Sequence, residues 1–169
     1  MNRVGIGYDV HRLGKDRALI LGGITIKYHL GLEGHSDADV LIHALMDALL
    51  GAAGLRDIGY YFPPSEPRFR GISSLELLKQ VRQMLAGKGW RLLNADSVVI
   101  AEAPALLPYI EKMVTAIASA LEVPAGRITV KATSTEGLGF CGRGEGIAAQ
   151  AVVLLEKTAT PGPAGQEAE

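Results

Sequence analysis

Asp9 and His11 are separated by one residue, and His43 sits alone in an apolar run; by type, all three can ligate a metal. On a β-strand, residues i and i+2 project from the same face about 7 Å apart at Cα, so Asp9 and His11 can reach one ion. An Asp-x-His pair by itself reads more simply as a polar strand face. A third donor changes that balance. His43 is flanked at i−4 and i+4 by Asp39 and Asp47, on one stripe of a helix. Metal-bound histidines commonly donate their second ring N–H to a carboxylate or carbonyl, a role open to either aspartate. The competing reading of the stripe is a solvated row of helical charges that includes His43. One carboxylate and two imidazoles suit zinc, and three protein ligands leave the fourth position open, as in a catalytic site.

Two further segments have the chemistry to hold phosphate. Gly34-His35-Ser36-Asp37-Ala38-Asp39 leads into the His43 helix. Ser36 or Asp37 is the expected N-cap, and the helix start offers unpaired N–H groups to an anion within reach of His35. Read alone, this segment is only a capped helix. Lys131-Ala132-Thr133-Ser134-Thr135-Glu136 brings three consecutive hydroxyls that can donate to phosphate oxygens, and Glu136 can hold Mg²⁺ beside them. A threonine-rich strand end has the same composition. The run from Gly137 to Gly146 contains five glycines, which argues against a helix or a packed strand. It permits positive φ and close backbone approach, with Arg143 placed to fork onto a phosphate. The Lys-Ser/Thr pair that ends a P-loop is missing, and Cys141 reads as a small packing residue. Together these residues indicate metal-assisted chemistry on a phosphorylated small molecule, driven by positioning and charge neutralisation.

The elements that must position these groups follow from periodicity. Residues 3–13 read as a strand, and 18–21 and 24–28 as a hairpin turning on Gly22-Gly23. Helices are expected over 37–53, 74–85 and 108–121, and strands over 90–101, 127–132 and 147–157. The fold class expected is α+β, a ferredoxin-like mixed sheet with helices packed on one face. Residues 1–157 form one domain, and 158–169, without an apolar anchor, a disordered tail. Composition bounds the rest. Of 169 residues 48% are hydrophobic but only 5% aromatic, so the core is aliphatic, and 21 glycines point to special backbone geometry. A net charge of −1 argues against a nucleic-acid or anionic-membrane binder acting through bulk charge. A single cysteine and the carboxylate of Asp9 near the N-terminus argue against disulfides and a signal peptide, and charges interrupt every long apolar run. A soluble, cytoplasmic protein is expected.

In this order, Gly7-Tyr8-Asp9-Val10-His11, Gly34 to Asp39, His43 to Ala52, Asp57-Ile58-Gly59, Lys131 to Glu136 and Gly139 to Gly146 resemble the family of 2-C-methyl-D-erythritol 2,4-cyclodiphosphate synthases. The resemblance covers roughly residues 2–157. It implies conversion of 4-diphosphocytidyl-2-C-methyl-D-erythritol 2-phosphate to the 2,4-cyclodiphosphate and CMP, in the non-mevalonate isoprenoid pathway. It implies Zn²⁺ or another divalent transition metal at Asp9, His11 and His43, and Mg²⁺ or Mn²⁺ on the diphosphate near Glu136. His35 and Ser134 would stabilise the transition state, with Asp9, His11 and Ser36 also at the substrate. Asp57, Ile58 and Gly59, with Phe62, Pro63, Ser65 and Glu66, would hold the erythritol part. Pro64 departs from the acidic residues common at that place. The loop Ala101, Glu102, Ala103, Pro104, Ala105, Leu106 and Leu107 would read cytosine, and Thr133 and Thr135 would meet the diphosphate. The family is a homotrimer with an axial channel, to which Tyr8, Phe140, Arg143 and Glu145 would map as a site for isoprenoid diphosphates. Some relatives carry a fused cytidylyltransferase; a monofunctional chain is expected here.

Two other functions fit parts of the pattern. A metal-dependent phosphohydrolase would use the same three ligands to activate water. A trimeric module binding isoprenoid diphosphates would use Arg143 and the channel, but it would have no need for the metal ligands.

Overall fold

The computed structural model describes residues 1–158. The expected tail, apart from Thr158, lies outside the described residues. The chain runs β1 (Asn2–Gly14), β2 (Leu19–Leu21), β3 (Ile24–Ile26), β4 (Gly31–Leu32), α1 (Val40–Ala52), α2 (Ile58–Tyr61) and α3 (Ser74–Gly87). It continues through β5 (Trp90–Ile100), α4 (Ile110–Leu121), β6 (Ile128–Thr133), α5 (Gly139–Gly142) and β7 (Gly146–Lys157). Five strands form one mixed sheet in the order β4-β1-β7-β5-β6, and β2-β3 is a separate hairpin. β7 is antiparallel to both β1 and β5, while β5 and β6 are parallel across the α4 crossover.

A mixed α+β sheet with helices on one face is therefore present, but its connectivity departs from a ferredoxin-like βαββαβ order. Here both helical crossovers precede the last two strands, and the C-terminal strand β7 inserts between β1 and β5. Long apolar β7 is buried along most of its length, which suits a central strand better than an edge.

The core is a layer between the sheet and α1, closed outside by α3 and α4. α1 is apolar around almost its whole circumference, as befits a helix covered on all sides. It lies against β1 because Gly5 and Gly7 present no side chain there. A Cβ at either position would run into the α1 backbone at Ala48 or Ala44. Small residues on both partners let helix and strand approach closely, which brings His43 over Asp9 and His11.

Two local expectations need correction. α1 starts at Val40 rather than 37, because Ala38 adopts a left-handed conformation (φ 58°) that interrupts helical propagation. Its N-cap is Asp39, not Ser36 or Asp37: the carboxylate accepts from the Ile42 amide. Within the glycine-rich run, residues 139–142 do form one helical turn, flanked by glycines at positive φ. The other helices and strands begin and end within a few residues of the positions that periodicity indicates.

Candidate metal centre and phosphate-handling loops

β1 projects Asp9 and His11 toward α1, and α1 returns His43. Asp9 Oδ2 is 3.0 Å from His11 Nε2 and 3.0 Å from His43 Nδ1. The two imidazole nitrogens are 3.1 Å apart. Four tetrahedral bonds of about 2.1 Å place neighbouring donors roughly 3.4 Å from each other, so this triangle fits a zinc-sized ion with little adjustment. The set of one carboxylate and two histidines also suits zinc chemically. Among the described residues this is the one His/Cys/Asp/Glu group with ligand atoms all within 4.8 Å of one another.

Electrostatics and hydrogen bonding prepare the donors. Burial raises the Asp9 carboxyl, but the imidazoles of His11 and His43 outweigh it and hold the group well below the usual carboxylate range. Burial works against charge on His11, and Asp9 overcomes it, lifting His11 above its ordinary value. His11 Nδ1–H donates to the Glu33 carbonyl at 2.7 Å, which leaves Nε2 facing Asp9.

Neither aspartate of the α1 stripe orients His43. Asp39 turns away to accept from the amides of Gly22, Gly23 and Ile42, and Asp47 accepts from the amide of Ile58. His43 Nε2 instead lies 3.1 Å from the hydroxyls of Ser36 and Ser74. The solvated-stripe alternative fails as well, since Asp39 is fully buried and His43 nearly so.

Beside the triangle opens a cleft. It brings His35, Ser36, Ile58, Gly59 and Phe62 together with His11 and His43. Pro64 joins its wall, as do Met46, which lies within the His43 to Ala52 motif but has no role assigned there, and Phe69 and Leu77, which no motif includes. Met46 follows His43 by three residues on the same helix, a signal legible in the sequence; Phe69 and Leu77 arrive only through folding. Asp57 lies outside this wall: it caps α2 through the Tyr60 amide and borders a separate cleft with Ile6, Tyr8 and Asp47. Pro63, Ser65 and Glu66 do not line the metal-side cleft, and Glu66 pairs with Arg68 at 3.6 Å.

The remaining candidates gather at the far ends of β5 and β6. The Ala101 amide donates to the Thr133 carbonyl at 3.0 Å, and the Ala103–Pro104 peptide is cis. Glu102 reaches the hydroxyl loop through one carboxylate oxygen, Oε1. It accepts from the Thr135 amide (2.8 Å), the Thr135 hydroxyl (3.1 Å) and the Gly137 amide (3.3 Å). The backbone bonds from Thr135 and Gly137 hold its carboxyl below the ordinary value. The cytosine-loop candidate Glu102 thus shapes the turn that carries Ser134 and Glu136. Ser134 donates to Glu136 at 2.9 Å. Phe140, Thr135 and Tyr8 border a third cleft, and Arg143 pairs with Glu145 at 2.7 Å. Within one chain the candidates therefore form two clusters. The metal-side cluster is on the helix-covered side of the sheet, and Thr133 shares the open side with its cross-strand partner Ile100.

A mixed α+β layer that brings a carboxylate and two imidazoles about one point, beside hydroxyl- and glycine-rich loops, defines a class of protein whose site could hold a metal ion next to groups suited to phosphate. Comparison with known proteins narrows the class. The model of the YgbB family matches residues 2–156. The 2-C-methyl-D-erythritol 2,4-cyclodiphosphate synthase of Desulforamulus reducens is 60% identical over 155 residues, 92% of this chain and 99% of that protein. Among solved structures, the bifunctional IspDF of Campylobacter jejuni matches with a TM-score of 0.90 and 44% identity, over 93% of this chain and 42% of that one. A CDP complex of Plasmodium falciparum IspF matches with a TM-score of 0.82 and 30% identity, over 94% and 97%. The chain belongs to the YgbB family of 2-C-methyl-D-erythritol 2,4-cyclodiphosphate synthases.

Proposed function

We propose that the two clusters together cyclise 4-diphosphocytidyl-2-C-methyl-D-erythritol 2-phosphate. An oxygen of the 2-phosphate bonds to the β-phosphorus, the bond from that phosphorus to the bridging oxygen breaks, and CMP leaves with the electron pair. The chain is accordingly a phosphorus–oxygen lyase of isoprenoid biosynthesis. The observation that carries the reading is the convergence of Asp9, His11 and His43 on one point in a chain so similar to named synthases.

Zinc held by Asp9, His11 and His43 would supply Lewis-acid neutralisation of a phosphate oxygen. Mg²⁺ or Mn²⁺ at Glu136 would offset charge on the diphosphate. The chain's own groups do the orienting. His35 and Ser36 border the cleft beside the metal ligands, where they can donate to phosphate oxygens. Ser134, Thr133 and Thr135 offer hydroxyls to the diphosphate. Ile58, Gly59 and Phe62 wall in the erythritol part, with Asp57, Pro63, Ser65 and Glu66 around it. Backbone groups of the loop from Ala101 to Leu107 meet cytosine, a reading supported by solved relatives described as binding CDP.

A homotrimer belongs to the same proposal. It is supported by the separation of the two clusters within one chain and by the bare apolar face of β1. The axial channel would carry Tyr8, Phe140, Arg143 and Glu145, with isoprenoid diphosphates as ligand. The setting is cytoplasmic, in keeping with the free Cys141.

The test is incubation with the cytidylyl substrate and Mg²⁺, read by phosphorus NMR, for wild type and His43→Ala. Cyclic diphosphate plus CMP is expected from wild type, with loss of both tight zinc and turnover in the variant. An open diphosphate plus CMP would point instead to hydrolysis, and full zinc retention by His43→Ala would remove the assigned metal site.

A further inference from the structure

Behind the cleft wall, the first residue of α3 makes a polar contact that the reaction as described does not use. Ser74 is completely buried, and its hydroxyl touches two groups: His43 Nε2 at 3.1 Å and the Asp37 carboxylate, to which it donates. Asp37 also accepts from the Ser74 amide at 2.8 Å and the Asp39 amide at 3.2 Å. Three donors therefore converge on a group that, when ionised, only accepts.

The direction of these bonds follows from counting protons. A serine hydroxyl has one proton and two lone pairs. Asp37 takes the proton, so a lone pair of Ser74 is left facing His43. His43 must then be the donor, with its ring proton on Nε2. That leaves the Nδ1 lone pair aimed at the point shared with Asp9 and His11. The choice of nitrogen has a competitor, because Asp9 Oδ2 lies 3.0 Å from Nδ1 and by itself would draw the ring proton there. A protonated Nδ1 cannot ligate a metal.

We propose that Asp37 and Ser74 are positioning residues for the metal centre: the chain Asp37–Ser74–His43 selects the ligating tautomer of His43 and holds its ring in place. The proposal rests on the metal-site reading above. Ser36, also 3.1 Å from Nε2, is a second acceptor but has no carboxylate behind it, since its oxygen is met only by the Ala38 amide. The same Asp37 ties the loop carrying His35 to the first residue of α3. His35 O accepts from the Gly71 amide and Ile72 O from the Asp37 amide, so one short stretch of chain sets both His35 and His43.

The experiment measures zinc affinity by chelator competition for wild type, Ser74→Ala, Ser74→Thr and Asp37→Asn, with circular dichroism to establish folding. The same proteins loaded with Co²⁺ are followed by proton NMR for the solvent-exchangeable imidazole N–H of His43. Ser74→Ala keeps its backbone bond to Asp37, so the loop junction persists. Loss of an outer partner of a metal-bound histidine typically weakens metal binding about 10–100-fold. We expect a loss in that range for Ser74→Ala, with roughly tenfold faster exchange of the N–H. Ser74→Thr, which keeps the hydroxyl, should remain within about threefold of wild type. Zinc affinity within about twofold of wild type in Ser74→Ala, with unaltered exchange, overturns the proposal. Should Ser74→Ala fail to fold, Asp37→Asn decides by the same criterion, because its amide puts a donor where three donors need an acceptor. A wild type that takes up no zinc would instead overturn the metal site itself, so the two failures are distinguishable.

Discussion

Asp39 shows how a single buried carboxylate can serve structure while sitting four residues from the candidate metal ligand His43. Its two oxygens accept from three amides, those of Gly22 (3.0 Å), Gly23 (2.6 Å) and Ile42 (3.1 Å), which caps α1 and pins the β2-β3 turn against it. Burial is the largest influence on its acidity. Even against those amide bonds, and helped by the negative Asp37 nearby, it pushes the carboxyl up to about 6 from 3.8. A raised folded-state value means that the folded protein favours the protonated form. The stabilisation is fully present below about 3.8 and is lost as pH rises through about 6. Asp39→Asn cannot titrate. It keeps one acceptor oxygen and places an amide donor against the Gly23 N–H, so it should be less stable than wild type at pH 4. The gap should then narrow toward pH 7 by on the order of 2 kcal/mol. Urea unfolding midpoints across that range give the comparison, and a pH-independent gap would show that Asp39 keeps an ordinary acidity.

At the level of elements, the metal site depends on how closely α1 can lie on β1. Gly7→Ala would put a methyl group into the Ala44 carbonyl and within 2.7 Å of the Ala48 amide nitrogen, backbone atoms that cannot swing aside. Overpacking of this kind costs about 3 kcal/mol, and because β1 carries Asp9 and His11 while α1 carries His43, zinc affinity should fall with stability. Gly51→Ala is the matched control. It lies in α1, the helix that packs on β1, with open space where the new methyl group would point, and should stabilise by roughly 0.5–1 kcal/mol through helix propensity. Denaturant midpoints of the two variants should move in opposite directions, and zinc titration should detect a loss only in Gly7→Ala. The strand and helix that meet here, with their three ligands, are legible in the sequence because period and residue type are local signals. The glycines are less so. Turns, helix ends and the run before β7 account for most of them by position, but the match of Gly5 and Gly7 with Ala44, Ala48 and Ala52 exists only after packing. The same limit explains His43. Partners at i±4 are the natural candidates, yet a hydroxyl that meets Nε2 comes from 31 residues away. Strand order is similarly hidden, because β7 reaches its place between β1 and β5 through contacts distant in sequence.

Among the described residues, one side of the sheet is left bare. On β1, Val4 (68% exposed), Ile6 (65%), Tyr8 (55%) and Val10 (43%) form a continuous row on the side opposite α1, joined by Val152 (42%) on β7. Apolar rows of this length on a folded domain mark association surfaces. The second copy of the chain proposed above would, as occupant of this row, also address the divided site, since it would bring the loops around Thr133 and Glu102 toward a neighbour's candidate metal cleft. Ile6→Glu places a charge in the middle of this row without touching Asp9, His11 or His43. Burying that charge in an apolar interface costs several kcal/mol unless it finds a partner, enough to dissociate subunits at micromolar concentration. Light scattering should therefore report a monomer, zinc titration a nearly unchanged metal site, and the phosphorus NMR assay a loss of turnover of at least about a hundredfold. The combination is what matters. Monomers that keep full turnover would show that each chain holds a complete site, whereas loss of zinc along with the assembly would show that the metal centre, too, is built across the interface.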